Sequence, residues 1–185
     1  MKHASRGTVL WLTGLPASGK TTLAEELLRR LAARGLDVEL LDADSLRNIL
    51  TPRPTYTDQE RDWFYGILVY LADLLSRHGV AVLVAATAHR RIYRDQARRV
   101  LPRFAEIYVQ CDIETCRRRD PKGLYAAARR GEVQSLPGEQ VPFEAPESPE
   151  VRVDTAKLAP PAAAGAVVER LEELALLARN EVPGF

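Results

Sequence analysis

The chain is poor in the residues that build metal centres and disulfide frameworks. Its 185 residues include two cysteines and three histidines. Cys111 and Cys116 lie five positions apart, which is neither a zinc-ligand spacing nor a disulfide framework. His3, His78 and His89 form no metal-ligand pattern. We therefore expect two reduced thiols, as is usual in the cytoplasm.

Charge of one sign and long apolar runs are also scarce. The net charge is +1, and no platform of alternating aromatic and basic residues is present, which argues against nucleic acid as a partner. The longest apolar run, residues 80–86, is too short to span a bilayer. Residues 1–7 lack the apolar segment of a signal peptide. We expect a cytoplasmic protein that binds a small molecule and neither nucleic acid nor membrane.

The sequence does contain a complete phosphate-binding loop, G-x-x-x-x-G-K-S/T, at residues 14–21. The apolar, β-branched run 8–13 precedes it, and residues 22–31 follow with their leucines on one helical face. Strand, loop and helix form the setting in which this pattern binds nucleotides. The alternative, a glycine-rich turn that only joins strand to helix, does not account for this setting.

We assign ATP and Mg²⁺ to this loop. Lys20 is expected to reach the β- and γ-phosphates, and the Thr21 hydroxyl is expected to ligate the metal. The glycines let backbone amides point at phosphate oxygens, and the helix adds its positive end. The expected nucleotide contacts are Gly14, Leu15, Pro16, Ala17, Ser18, Gly19, Lys20, Thr21 and Thr22.

Strand and helix patterns alternate along the chain, which predicts an α/β, P-loop kinase fold with a parallel sheet and helices on both faces. We expect a single domain over residues 1–185, with ligands at the carboxyl ends of the strands. A capping box, Thr57 with Glu60, starts the longest helix. The predicted strands are 8–13, 38–41, 80–86 and 105–109. The predicted helices are 22–31, 57–79, 91–101, a short one near 115, and 162–179.

Two acids follow the second predicted strand, next to the phosphate loop. One of Asp42 and Asp44 is expected to approach the metal or the acceptor hydroxyl. The alternative is a helix N-cap with an acid in the first turn, and both roles can coexist. The third strand ends without an acid, so a Walker-B aspartate is absent there, which argues against motor ATPases.

Residues 120–150 interrupt the alternation with a stretch rich in Pro and Glu. Such a segment is either a functional lid or disordered. We favour a lid, over about residues 119–150 in the C-terminal half, because kinases exclude water from the transferred phosphoryl group. Four cations placed to flank the crevice suggest an anionic acceptor: Arg47, Arg61, Arg90 and Lys122.

Three segments resemble adenylylsulfate kinases, which use MgATP to phosphorylate the 3′-hydroxyl of adenylylsulfate (APS). Residues 116–125 read C-R-R-R-D-P-K-G-L-Y, which is similar to the family's C-x-x-R-D-P-K-G-L-Y. Residues 128–132 and 143–150 are similar to its A-R-A-G-E and Y-E-x-P-x-x-P-E. The likeness extends from residue 9 to about residue 155, nearly the whole chain, and it implies a kinase of this family that forms a homodimer.

The resemblance also assigns residue roles. It implies that Lys20, Asp42, Asp44 and Arg119 are catalytic, that Arg119 lies near ATP, and that Thr21 and Asp42 hold the metal. The implied acceptor contacts are Asp44, Arg47, Tyr56, Arg61, Phe64, Ala88, Lys122, Leu124 and Leu136.

The departures from the family pattern cluster on the acceptor side. Phe64 stands where the family has an asparagine, and Gly66 and Ile67 stand where it has two arginines. Leu136 replaces an aromatic residue of the family pattern. Residues 87–90, Thr-Ala-His-Arg, replace I-S-P-Y, so that Ala88 stands at a serine. The sequence therefore leaves three functions open: an APS kinase, a relative that phosphorylates another anionic or nucleotide-linked alcohol, and an inactive nucleotide-binding module.

Overall fold

The computed structural model describes residues 6–51 and 53–177, which form five strands and seven helices. The strands are β1 (Val9–Thr13), β2 (Val38–Asp42), β3 (Ala81–Ala85), β4 (Phe104–Gln110) and β5 (Val151–Asp154). The helices are α1 (Lys20–Ala33), α2 (Ala43–Leu50), α3 (Asp58–Arg77), α4 (Arg91–Val100), α5 (Ile113–Arg119), α6 (Leu124–Arg129) and α7 (Pro160–Glu173).

All five strands pair in parallel in the order β2-β3-β1-β4-β5. The central strand β1 is buried throughout, and its side chains alternate between two apolar clusters. Leu10 and Leu12 pack in the cluster that contains α1 and α7. Val9 and Trp11 pack in the cluster that contains α3 and α4. The predicted parallel sheet with helices on both faces is confirmed.

The fifth strand was not predicted. β5 is only four residues long, with Val151 and Val153 buried and paired to β4, and it directly follows the Pro- and Glu-rich stretch. A run this short carries too little periodicity to be recognised. The last helix is also shorter than predicted, because it ends at Glu173 and Ala175 adopts a left-handed φ of 54°. Residues 178 and 179 of the predicted helix lie outside the described residues.

The start of α3 follows half of the predicted capping box. The Thr57 hydroxyl accepts a hydrogen bond from the Glu60 amide, 3.3 Å away, as predicted. The Glu60 carboxylate does not return to Thr57; it accepts from the amide and hydroxyl of Thr55, both at 2.6 Å. Glu60 thereby holds the turn before α3, and it pairs with Arg47 at 3.1 Å.

The segment predicted as a lid shares a small apolar core with α5 and the residue after β4, and this core packs against the phosphate loop. Its buried members are Cys111, Cys116, Tyr125, Ala128 and Leu136. The Tyr125 hydroxyl donates to the Pro16 carbonyl at 3.0 Å. Both cysteines are free, and burial raises the pKa of Cys116 to about 12. That this segment opens and closes stays a prediction.

Candidate active site

A cavity of about 680 Å³ opens at the carboxyl ends of β2 and β3. Five segments line it: the phosphate loop with the first turn of α1, the start of α2, the end of β3 with Thr87, the connection from α5 to α6, and the chain between β5 and α7. This is the position that the alternating βα pattern predicts for a ligand. The predicted residues that line it are Pro16, Ala17, Gly19, Lys20, Thr21, Thr22, Asp42, Asp44, Arg119, Lys122 and Leu124.

The phosphate loop holds Lys20 by its backbone. The Lys20 ammonium donates to the carbonyls of Gly14 and Leu15 at 3.0 and 2.8 Å. Burial lowers the pKa of Lys20 to about 8. Gly19, with a φ of 92°, is the N-cap of α1, and no side chain caps that helix end. The first-turn amides of α1 are therefore available to an anion, and the residues that carry them line the cavity.

Thr21 and Asp42 form the part of the site that suits a divalent cation. The Thr21 hydroxyl donates to Asp42 Oδ2 at 3.0 Å, and Asp42 Oδ1 caps α2 by accepting from the Ser45 amide at 2.9 Å. Burial acts to raise the pKa of Asp42, but the hydrogen bonds from Ser45 and Thr21 hold it below the ordinary value. Asp42 is therefore both the N-cap and an ionised oxygen donor at neutral pH.

Within residues 6–51 and 53–177, no cluster of three or more His, Cys, Asp and Glu residues could hold a metal ion. Mg²⁺ usually needs only one or two protein ligands beside substrate phosphates and water. One carboxylate and one hydroxyl therefore fit Mg²⁺ bound together with a nucleotide.

The second acid lies at the mouth of the cavity. Lys122, from the lid segment, donates to Asp44 Oδ2 at 2.5 Å, and this hydrogen bond to Asp44 raises the pKa of Lys122. The Asp44 side chain is 68% exposed and the Lys122 side chain is 57% exposed, so both are accessible to a ligand. Asp44 lies in the first turn of α2 and leaves the capping position to Asp42.

Arg119 is held against the phosphate loop through Thr155. Its guanidinium donates to the Thr155 carbonyl at 2.6 Å, and the Thr155 hydroxyl donates to the Ser18 carbonyl at 2.7 Å. Sequence reasoning missed Thr155 because it follows β5, the strand that was not recognised. A recognised β5 would have placed Thr155 at the carboxyl edge of the sheet, beside the loop.

Six predicted acceptor residues do not line this cavity. Leu136 belongs to the lid segment, and the other five lie around the start of α3 and the end of β3: Arg47, Tyr56, Arg61, Phe64 and Ala88. The Arg47 guanidinium carbon lies 3.8 Å from the centroid of the Phe64 ring and 5.1 Å from that of Tyr56. Such contacts are attractive. Phe64 is fully buried, so its ring packs against the Arg47 guanidinium and does not present an open apolar wall to a ligand.

Arg61 joins this group to the lid segment. Its side chain is buried, and it donates to the Tyr56 carbonyl at 2.9 Å and to the Ser135 carbonyl at 3.0 Å. The neighbouring Leu136 packs into the lid core and not into the cavity. Ala88 is fully buried, and its amide donates to the Tyr65 hydroxyl at 3.0 Å. The structure therefore brings most of the donor residues into one cavity, though not Gly14, Leu15 and Ser18, and most of the acceptor residues into an adjacent cluster.

A family model described as adenylylsulphate kinase matches residues 6–154. The chain belongs to this family. Its relatives include a probable adenylyl-sulfate kinase of Pyrococcus abyssi, 40% identical over 171 residues, which are 92% of this chain and 98% of the relative. An adenylyl-sulfate kinase of a Synechococcus species is 40% identical over 167 residues, 90% of this chain and 95% of the relative.

Solved structures of the adenylylsulphate kinase family have the same fold. An APS kinase of Mycobacterium tuberculosis in complex with AMPPNP and APS superposes with a TM-score of 0.85 and 34% identity, covering 90% of this chain and 98% of that one. A hexameric APS kinase of Thiobacillus denitrificans has a TM-score of 0.70 and 25% identity, covering 95% of this chain and 30% of that one. The predicted family and the predicted P-loop kinase fold are confirmed, and the chain is an ATP-dependent phosphotransferase.

Proposed function

We propose that the chain transfers the γ-phosphoryl group of MgATP to the 3′-hydroxyl of adenylylsulfate, which gives 3′-phosphoadenylylsulfate and ADP. The observation that carries this proposal is the shared cavity. Lys20 and Thr21, which suit the phosphate donor, line the same space as Asp44 and Lys122, which suit the acceptor. The M. tuberculosis relative holds AMPPNP and APS together, which supports a site for two ligands.

On the donor side, backbone amides of the loop and of α1 would cradle the phosphates, and Lys20 and Arg119 would neutralise charge on the transferred group. Thr21 and Asp42 would hold Mg²⁺, which supplies charge neutralisation at the phosphates when it is bound. The Lys20 contacts with loop carbonyls and the Arg119 contacts with Thr155 orient both cations before the nucleotide arrives. Positioning of this kind is most of the catalysis in phosphoryl transfer.

On the acceptor side, we assign the role of base to Asp44. Both oxygens of Asp42 already accept hydrogen bonds, from Ser45 and Thr21, whereas Asp44 is exposed in the cavity. The acceptor oxygen forms a bond to the γ-phosphorus, the bond to the β-phosphate oxygen breaks, and the acceptor proton passes to the Asp44 carboxylate. Lys122 would then compensate the charge on the acceptor. The proposed acceptor wall consists of Arg47, Tyr56, Arg61 and Leu124, and the buried side chains of Phe64, Ala88 and Leu136 would support it from behind.

A second candidate is a kinase for another anionic or nucleotide-linked alcohol. The buried Phe64 under Arg47 favours it, because the resemblance implies an asparagine there and a phenyl ring cannot donate a hydrogen bond. Each lost contact with a charged group costs about 1.5–3 kcal/mol of affinity. In this candidate, a different set of residues contacts the acceptor and compensates for the lost contacts, and this distinguishes it from the first candidate.

The two candidates are separated by coupled ADP release with APS as the acceptor, against a reaction without acceptor and against the Lys20→Ala variant. We expect APS-dependent release that the variant lacks. ATP binding without APS-dependent turnover would contradict the first candidate, and a panel of nucleotide-linked and phosphorylated alcohols would then test the second. ATP binding with no turnover on any of these acceptors would favour an inactive nucleotide-binding module.

We also propose a cytoplasmic homodimer that binds small molecules and no nucleic acid. In the part of the chain that the structure describes, no helix is long and apolar enough to cross a membrane. Light scattering of the purified chain measures the mass in solution, and a monomeric or hexameric mass would contradict the dimer.

A further inference from the structure

His89 and Arg61 form a buried contact that neither the phosphate loop nor the family resemblance accounts for. His89 Nδ1 lies 2.9 Å from an Arg61 Nη, and the two residues are 5% and 6% exposed. In the family pattern used above, a proline stands at position 89, and a proline has no side-chain acceptor. The imidazole is therefore a feature of this chain's own sequence.

The chemistry of the contact fixes the state of the imidazole. A guanidinium only donates hydrogen bonds, so Nδ1 must accept, and the proton of the neutral ring lies on Nε2. The charged groups that face His89 are Arg61, Arg90, Asp58 and Glu144. Burial, followed by the two arginines, lowers the pKa of His89 to about 4, so the ring stays neutral at physiological pH.

His89 is itself held in place by backbone contacts. Its carbonyl accepts from the Glu144 amide at 2.7 Å, and the buried Arg94 donates to the carbonyl of the preceding residue, Ala88. Arg94 also donates to the Glu144 carbonyl at 2.5 Å. The acceptor atom that His89 offers therefore has a fixed position before any substrate binds.

Three acceptors from three segments determine the plane of the Arg61 guanidinium. The carbonyl of Tyr56 binds its Nε, the carbonyl of Ser135 in the lid segment binds one terminal nitrogen, and His89 binds the other. Two of the three are backbone atoms of loops. His89 is the only side-chain acceptor that the described residues give to this guanidinium, so it is the one that a substitution can remove.

We propose that His89 is a positioning residue that orients Arg61 toward the acceptor substrate and so determines acceptor affinity. The proposal rests on the proposed function, in that the acceptor is anionic and contacts Arg61. His89 acts through Arg61 and does not itself take part in phosphoryl transfer. Removal of its acceptor atom therefore affects the KM for the acceptor more than the KM for ATP or kcat.

The test compares His89→Leu with His89→Asn. Leucine has no hydrogen-bond acceptor, whereas the asparagine Oδ1 can take the place of Nδ1. We expect His89→Leu to raise the KM for APS about tenfold, with the KM for ATP within about twofold of wild type, since a hydrogen bond to a charged group is lost. His89→Asn should recover most of the difference. His78→Asn, at the exposed C-terminal end of α3, is the matched control and should leave all constants unchanged.

A double-mutant cycle tests the route through Arg61. In an Arg61→Ala background, His89→Leu should raise the KM for APS no further. Equal effects of His89→Leu in both backgrounds, or no rescue by asparagine, would overturn the proposal. So would equal changes in the KM values for APS and ATP.

A ligand-free measurement separates this proposal from the proposed function. ¹⁵N-detected NMR of the imidazole should show an unprotonated Nδ1 and no titration of His89 between pH 5 and pH 8. Titration near pH 6.5 would overturn the His89 proposal even in an active kinase. Absence of APS turnover with the expected NMR result would instead overturn APS as the acceptor and leave the Arg61–His89 contact in place.

Discussion

The donor and acceptor halves of the site are built in different ways. The donor half is built mainly on one continuous stretch, β1, loop and α1, in which backbone carbonyls hold Lys20, and Asp42 and Arg119 join it from elsewhere in the chain. The acceptor half gathers side chains from α2, α3, the end of β3 and the lid segment, which lie far apart in the chain. A site made of backbone tolerates changes of side chain, whereas a site made of side chains changes its ligand when they change.

The departures from the family pattern follow this division. Leu15, Pro16 and Ala17 contribute backbone to the loop, so their side chains are free to vary within the pattern. Phe64, Ala88 and His89 would alter what the acceptor meets, either directly or through the arginines they contact. Loss of Lys20 from the donor half should therefore abolish turnover for every acceptor, whereas substitutions in the acceptor half should change selectivity.

The largest expected effect comes from Lys20→Ala. The change removes the cation that contacts the transferred group, and we expect kcat to fall by about 10³-fold or more with any acceptor. The fold should persist, because the buried ammonium is costly to desolvate and its pKa is already lowered. ADP release measures the first effect and thermal denaturation the second. Activity within tenfold of wild type would show that the loop does not serve catalysis.

Substitution of the two acids, Asp42 and Asp44, separates the metal-binding role from the role of base. We expect Asp44→Asn to lower kcat about 100-fold, because the acceptor loses its base, with nucleotide affinity unchanged. We expect Asp42→Asn to raise the Mg²⁺ concentration for half-maximal rate about tenfold, because a carboxylate that binds Thr21 becomes an amide. Steady-state rates over a Mg²⁺ titration distinguish the two. If Asp42→Asn lowered kcat and Asp44→Asn raised the Mg²⁺ requirement, the role of base would belong to Asp42.

Local signals explain what the sequence could predict. The phosphate loop and β1 could be predicted because strand, loop and helix are contiguous in the chain and strongly patterned. Thr57 could likewise be predicted as an N-cap, because its spacing to Glu60 is a local signal. The four-residue β5 was not, since its partner β4 lies some 40 residues earlier and only that pairing makes it a strand.

The acceptor cluster shows the limit of such reasoning. The sequence indicates cations at Arg47 and Arg61, but their partners depend on tertiary contacts. Nothing local predicts that Glu60 binds Thr55 and Arg47, or that Leu136 faces the lid core. The sequence indicates which segments carry these side chains, but it does not indicate the direction in which each side chain points.

A pH titration tests the donor half without any acceptor. Since the pKa of Lys20 is about 8, its ammonium is charged at pH 7 and mostly neutral at pH 9. The affinity for a non-hydrolysable ATP analogue is therefore present below pH 8 and lost above it, and we expect Kd to be about tenfold higher at pH 9 than at pH 7. Calorimetry measures Kd. The pKa of Lys122 is raised, so that residue does not titrate in this window.

The same titration has a built-in control in Lys20→Ala, which should bind weakly with no dependence on pH between 7 and 9. A dependence that survives in the variant would assign the titrating group elsewhere. A flat profile in the wild type would mean that the ammonium keeps an ordinary pKa despite its burial.

The smallest expected effect lies where the two halves touch. Gly138, in the lid segment, has a φ of 88°, and a Cβ there would lie 2.5 Å from Leu15 Cδ2 in the phosphate loop. Gly35 has a similar φ of 77°, and a Cβ there would meet no atom within 4 Å. Gly35→Ala therefore measures backbone strain alone, about 1 kcal/mol of the free energy of unfolding, and Gly138→Ala adds the contact with Leu15.

We expect Gly138→Ala to lose more unfolding free energy than Gly35→Ala in urea titrations and to raise the KM for ATP about twofold to fivefold, with Gly35→Ala leaving that KM unchanged. The reason is that the Leu15 carbonyl is one of the two acceptors that hold Lys20, so a shift of Leu15 moves the cation that binds the phosphates. Equal losses in the two variants, with unchanged KM, would mean that the Leu15 side chain turns aside freely. The lid segment would then contact the phosphate loop without influencing it.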